Sequence, residues 1–278
     1  MSTRSVAASR CELQRATGTL DVAVKRRGAA SVLADLRQEG CLKARFPHAA
    51  DWFEAVTLNS SGGVAGGDAL LSRFAIGPGA RASFASQAAE RFYRARPADP
   101  PARVATEIAV AAGGSTEWLP QEAILFDGAA LDRRLSVDLA ADASFLGLET
   151  LIFGRTAMGE RVAELRLADT IRVRRAGQLI LHDAVRLDGD AAALLARPAT
   201  GGGGAAVATL IHVAPDAEMH LAALRDVWGA GPSAGASAWD GMLVGRIVAA
   251  DAAQLRATLL PGLAVLRGGR PLPRVWLC

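Results

Sequence analysis

Thr170-Ile171-Arg172-Val173-Arg174-Arg175-Ala176-Gly177-Gln178-Leu179-Ile180-Leu181-His182 is the stretch that decides the fold. Its first five residues alternate apolar or β-branched side chains with arginine, the period of a strand with one buried face. Arg175-Ala176-Gly177-Gln178 reads as a turn, and a second apolar run follows it. The whole stretch therefore predicts a β-hairpin.

The same pattern extends outward in both directions. Leu20, Val22 and Val24 alternate with polar or small partners. Strand-like runs follow at Ala55–Leu58, Leu70-Leu71, Ala80–Ala85 and Arg103–Val110, with turn signals at Gly77-Pro78-Gly79 and Gly113-Gly114. Many short strands cut by glycine or proline predict a mainly β (α+β) fold with a β-rich body. The last third changes character. A strand over Val207–Val213 is expected after Gly201-Gly202-Gly203-Gly204, then a helix opening at Pro215-Asp216-Ala217-Glu218 and running to about Val227. Trp228 to Trp239 reads as a Gly/Ala/Ser loop. Met242–Val248 reads as a strand, and Asp251 caps a second helix that should stop near Leu260, where Pro261 interrupts it. The expected organisation is one domain over residues 1–278, with two helices in its C-terminal third and room for a β-α sub-region over 205–278. The four-glycine run reads as a surface loop in preference to an interdomain linker, because apolar content continues on both sides.

Composition narrows the function. The chain has 278 residues and a formal charge of +3. Lys25 and Lys43 are its only lysines, and its arginines are scattered rather than clustered with aromatics, which argues against nucleic-acid binding. No apolar run approaches the roughly 18 residues that cross a bilayer, so a soluble, cytoplasmic protein is expected. Cys11, Cys41 and Cys278 form no disulfide framework and no Cys-x-x-Cys metal spacing. His48, His182, His212 and His220 include no i,i+4 pair, and each reads as structural or surface in preference to a metal ligand.

Asn59-Ser60-Ser61-Gly62-Gly63-Val64-Ala65-Gly66-Gly67-Asp68 is the chain's most distinctive loop. It lacks the Lys-Ser/Thr pair that a phosphate cradle needs after its last glycine, and strand rather than helix follows it. What remains is a turn between strands that carries one carboxylate, Asp68. Further carboxylates, Glu90, Glu122 and Glu149, fall in unusual segments, and any one of them taken alone reads as a solvated turn residue in preference to a functional acid. Pro120 marks a bulge or edge that should expose Gln121 and Glu122. A mainly β hydrolase using Asp68 and Glu122 as acid and base is the alternative reading.

Five segments in order carry a family resemblance: Gly62-Gly63-Val64-Ala65-Gly66-Gly67-Asp68; Gln87 to Arg94; Glu117-Trp118-Leu119-Pro120-Gln121-Glu122; Phe153-Gly154-Arg155 with Gly159-Glu160; and Pro271-Leu272-Pro273-Arg274-Val275-Trp276. Together they resemble the urease accessory protein UreD (UreH) family, from about Gly18 to the C-terminus. Asn59-Ser60-Ser61 replaces a Pro-Pro common in relatives. The resemblance implies a mainly β fold with two helices and a non-enzymatic scaffold. Its implied partners are UreF, the GTPase UreG and urease apoprotein, and its implied role is assistance in nickel delivery. It implies no tightly bound cofactor, only transient Ni(II). Oxygen ligands would bind such an ion weakly enough to release it. Asp68, which matches the family's Gly-Gly-Asp acid, is the first candidate on that path, followed by Glu149 and Glu90, with Asp68 and Glu149 lining an internal water-filled route. Trp228 and Trp239, with the two helices, are candidate UreF contacts, or else core and loop residues.

Overall fold

The computed structural model describes residues 14–47, 52–155, 158–229 and 234–277. The strands are β1 (Thr17–Arg27), β2 (Ala30–Gly40), β3 (Leu42–Arg45), β4 (Phe53–Asn59), β5 (Ala69–Ile76), β6 (Arg81–Ser86), β7 (Glu90–Phe92), β8 (Ala102–Val110), β9 (Ser115–Leu119), β10 (Ala123–Leu125), β11 (Ala129–Leu139), β12 (Ser144–Phe153), β13 (Leu165–Arg175), β14 (Gln178–Gly189), β15 (Ala206–Val213), β16 (Ala234–Trp239) and β17 (Met242–Ala249). The α-helices are α1 (Ala191–Leu195), α2 (Leu221–Trp228), entered through a 3₁₀ turn at Ala217–His220, and α3 (Ala252–Leu266). The mainly β expectation is met.

Two sheets form a sandwich. The first has the order β14-β13-β11-β8-β5-β1-β2, and the second β16-β17-β15-β12-β9-β6-β4-β3, with β7 and β10 attached beside β12. From β4 to β13 the chain crosses between the sheets instead of folding back on itself. Strands β5, β8, β11 and β13 are parallel neighbours in the first sheet, and β4, β6, β9 and β12 in the second. Parallel strands need a long crossover connection; here the crossover of each sheet is a strand of the other. The result is a β-coil, closed at its ends by antiparallel strands: β1 with β2, β3 with β4, β13 with β14, and β15 with β17 and β16. The Gly-rich loop is therefore a connection between sheets, not a hairpin turn.

Burial follows from what covers each face. β13 alternates buried and exposed positions, because the outer face of the first sheet meets solvent. β12 and β15 are buried almost throughout, because α2, α3 and the C-terminal segment cover the outer face of the second sheet. One core lies between the sheets, where Phe74 meets Phe84 at 4.2 Å between ring centroids and Trp118 at 5.4 Å. Each such side chain contributes about 1.5–3 kcal/mol when fully buried. A second core lies between the second sheet and the helices, around Leu210, Leu224, Leu259, Leu263 and Trp276.

The 170–182 hairpin forms as expected, with Ala176 and Gly177 at φ of 51° and 80° in its two-residue turn. Asp251 caps α3 by accepting from the Gln254 N–H at 2.8 Å. Two expectations need correction. Residues 234–239 form strand β16, paired to β17 through an Asp240-Gly241 turn in which both residues have positive φ. Helix α3 does not stop at Leu260; it runs through Pro261 to Leu266. Leu255 and Leu259 before the proline and Leu263 and Leu266 after it are all buried, so packing carries the helix past the missing hydrogen bond.

Candidate functional site

The coil has two edges. On one, the connections 77–80, 111–114 and 140–143 are equal four-residue turns, each closed by an i to i+3 backbone bond: Ala80 N–H to Gly77, Gly114 N–H to Ala111 and Ala143 N–H to Ala140. They stack through the Ser115 N–H to the Ala80 carbonyl and the Ser144 N–H to the Gly114 carbonyl, each 2.9 Å. On the other edge the connections are long: 60–68, 87–101, 120–128 and 154–164, with β7 and β10 inside them. This edge holds most of the distinctive segments.

The long connections bind one another. The Val64 N–H donates to the Arg91 carbonyl and the Tyr93 N–H to the Val64 carbonyl, each 2.8 Å. Tyr93 Oη donates to the Gly62 carbonyl at 3.1 Å, and Gly63 has φ +140° with its α-carbon against the Tyr93 ring. The ring of Tyr93 meets that of Phe126 edge-on at 5.1 Å, and the Arg155 guanidinium lies 4.5 Å over Phe126. Arg155 Nε pairs with Glu160 at 2.8 Å, and Glu160 accepts from the Asp127 N–H. Four segments remote in sequence thus make one seam.

Asp68 is buried. Its two carboxylate oxygens accept from the backbone N–H groups of Ala16 (2.9 Å) and Ala65 (2.8 Å). It lines a cavity of about 650 Å³ with Arg15, Cys41, Ser61, Gly63 and Tyr93. Glu90 lines an adjoining cavity of about 260 Å³ with Asn59, Gly63 and Gln87, and Gly63 belongs to both. Burial pushes the Glu90 carboxyl above the usual range, against the opposing hydrogen bond from Asn59 Nδ2 at 3.2 Å. Cys41, half-buried beside Asp68, has its thiol pushed up by burial. Sequence reasoning passed over it, because an isolated cysteine carries no spacing signal.

Glu149 lies elsewhere, between the sheets. Its Oε2 pairs with Arg133 Nη1 of β11 at 2.7 Å, and Oε1 accepts from Trp118 Nε1 at 2.9 Å. Arg133 also makes a two-pronged pair with Asp169 of β13, at 2.9 and 2.7 Å. Burial pushes the Glu149 carboxyl up; Arg133 pulls it back and Asp169 adds to the rise. Burial alone would lower Arg133, but the two carboxylates outweigh it and hold the guanidinium firmly charged. One cation thus serves two buried acids. The structure brings Asp68 and Glu90 to neighbouring cavities and gives Glu149 a separate set of partners.

The remaining candidates divide. Gln121 is buried, contrary to the exposure expected at Pro120: its Nε2 donates to the Val275 carbonyl at 2.7 Å. Glu122 pairs with Arg256 at 3.5 Å, while Asp68 is engaged with Ala16 and Ala65, so the acid–base alternative has its two members in different surroundings. The C-terminal motif packs on the 117–122 motif: Trp276 Nε1 donates to the Leu119 carbonyl at 3.1 Å, and Glu117 binds Arg267 at 3.0 Å as well as Arg270. Trp228 is seated between α2 and α3, donating to the Thr258 carbonyl at 3.0 Å, whereas Trp239 is 43% exposed at the end of edge strand β16. Among the described residues, no helix is long and apolar enough to cross a membrane.

The geometry defines a class first: a mainly β coil protein whose distinctive sequence is concentrated in one polar edge and in a C-terminal clamp. The family model for the UreD urease accessory protein matches residues 16–277. Proteins described as urease accessory protein UreD are similar along nearly their whole length. That of Sinorhizobium medicae is 47% identical, covering 95% of this chain and 96% of its own. That of Xanthobacter autotrophicus is 46% identical (95% and 90%), and that of Rhizobium rhizogenes 43% (98% and 99%). The chain belongs to the UreD urease accessory protein family.

Proposed function

We propose that this chain is a non-catalytic urease maturation protein of the cytoplasm. It links UreF and the GTPase UreG to urease apoprotein and assists the transfer of nickel to the urease active site. The observation that carries this reading is the convergence of the Gly62–Asp68 and Gln87–Arg94 segments on two adjoining cavities, one lined by the buried carboxylate of Asp68 and the other by the half-buried carboxylate of Glu90. Carboxylate and carbonyl oxygens suit a hand-off better than thiolate or imidazole, because they bind Ni²⁺ weakly enough to let it leave. Glu149 is a further carboxylate inside the body, and to meet the ion it would have to release Arg133 or Trp118, which hold its two oxygens. The partner surface is assigned to the C-terminal helices with Trp239, an exposed aromatic.

Co-expression with UreF, followed by capture with and without UreG, tests the scaffold. Retention of both is expected, with UreG lost when UreF is omitted. Failure to retain UreF would defeat the reading.

A further inference from the structure

The 3₁₀ turn after β15 assembles a group of side chains on the other side of the second sheet. Glu149 pairs with Thr209 in register, and both face the core between the sheets. His212, three residues beyond Thr209, therefore points to the opposite face. The chain then turns, so that Asp216 and His220 come back over it. The His212 and His220 rings lie 5.4 Å apart at 77°, and His220 Nε2 is 3.7 Å from Asp216 Oδ2. One ligand atom from each of the three residues lies within 4.8 Å of the others.

Two features set this group apart from a surface ion pair. His212 is only 9% exposed, and its Nδ1 is buried with no hydrogen-bond partner. An unsatisfied buried polar atom is costly, and native structures seldom carry one without a use for it. His220 and Asp216 are progressively more exposed, which leaves an entry from solvent.

We propose that His212, Asp216 and His220 form a binding site for one late first-row divalent cation, with two imidazole nitrogens and one carboxylate oxygen as ligands and the remaining positions open to water. Two imidazoles select cobalt, nickel, copper or zinc over magnesium and calcium. Around a tetrahedral ion with bonds of about 2.1 Å, ligand atoms sit about 3.4 Å apart. The three atoms need to draw in by roughly 1 Å, a movement the exposed Asp216 and half-exposed His220 side chains permit. The sequence spacing, His-x₃-Asp-x₃-His, puts the histidines eight apart and escapes a search for i,i+4 pairs. The site does not rest on the urease reading and shares no residue with the Asp68, Glu90 and Glu149 set.

The test uses the full-length chain without a histidine tag. Co²⁺ is titrated and its visible ligand-field absorption followed, and Ni²⁺ binding is measured by calorimetry. One strong site per chain is expected. His220→Ala and Asp216→Ala should each weaken it at least tenfold, and His212→Leu should abolish it. Asp68→Ala and Glu149→Gln should leave it unchanged. If the His212 variant does not fold, the two exposed variants carry the test alone. Unchanged affinity in His220→Ala and Asp216→Ala, or no strong site in the wild type, would overturn the assignment. So would equal loss in Asp68→Ala, which would place the metal at the acidic cavities instead.

Discussion

The two edges of the coil are made by the same strands and obey different rules. The short-turn edge repeats one solution three times: four residues, one closing backbone bond and a stack onto the next turn. Asp142, which accepts from the Gly113 N–H at 3.0 Å, is a carboxylate added to a turn the backbone already closes. The long-turn edge has no repeat. Its connections run from nine to fifteen residues, carry buried acids and close on one another through Tyr93, Phe126 and Arg155. One edge is what a chain needs to reverse between sheets. The other is more elaborate than folding demands, and it burdens stability by holding the half-buried Glu90 carboxyl where its charge is disfavoured.

Substitutions matched across the edges put this contrast to the test. The largest effect is expected from Gly63→Ala. A Cβ there would sit 2.3 Å from Tyr93 Cε2 and 3.0 Å from the Arg91 carbonyl, at φ +140°. A loss of about 2–4 kcal/mol in chemical denaturation is expected. Its counterpart Gly79→Ala has φ +63° and only an ordinary contact at 3.4 Å, so about 1 kcal/mol is expected. Equal losses would remove the distinction between the edges. Next comes Asp68→Ala, which leaves the N–H groups of Ala16 and Ala65 without their acceptor and should cost about 1–3 kcal/mol. Asp142→Ala, at an exposed turn, should cost about 0.5 kcal/mol.

Glu90→Gln gives a subtler signal, in the pH dependence of stability. The folded-state pKa of Glu90 is raised by burial, so above its ordinary value of 4.5 the native state holds its proton more tightly than the unfolded chain does. Stability from this group is present at low pH and falls as pH rises from the unfolded value through the folded one. Glu90→Gln should therefore flatten the denaturation midpoint across that window and raise it relative to wild type at neutral pH. A midpoint lower than wild type at neutral pH would mean that the ionised carboxylate is stabilising where it stands.

Much of the fold was legible because it is local. The 170–182 hairpin, the alternation of Leu20, Val22 and Val24, and the Asp251 cap each depend on a few neighbouring residues. The coil was not legible. Alternation reports a buried face but not which sheet the next strand joins, and a short glycine turn serves a hairpin and a crossover equally. β16 was hidden by its small side chains, although Asp240-Gly241 was a turn signal of the right kind. The distinctive acids were visible one at a time, while their surroundings were not. Arg133 and Asp169 reach Glu149 from the opposite sheet, and no sequence spacing encodes that. The same holds for His212 and His220, which the turn at Ala217–His220 brings together.

The claim that the long-turn edge exists to serve urease is tested most directly in cells that make urease, with this chain supplied as wild type, Asp68→Ala or Asp142→Ala. The nickel content of purified urease is measured alongside the amount of this chain recovered with its partners. The account predicts nickel-poor urease with Asp68→Ala at undiminished partner recovery, and full loading with Asp142→Ala. Full loading with Asp68→Ala, or equal loss with both, would contradict it.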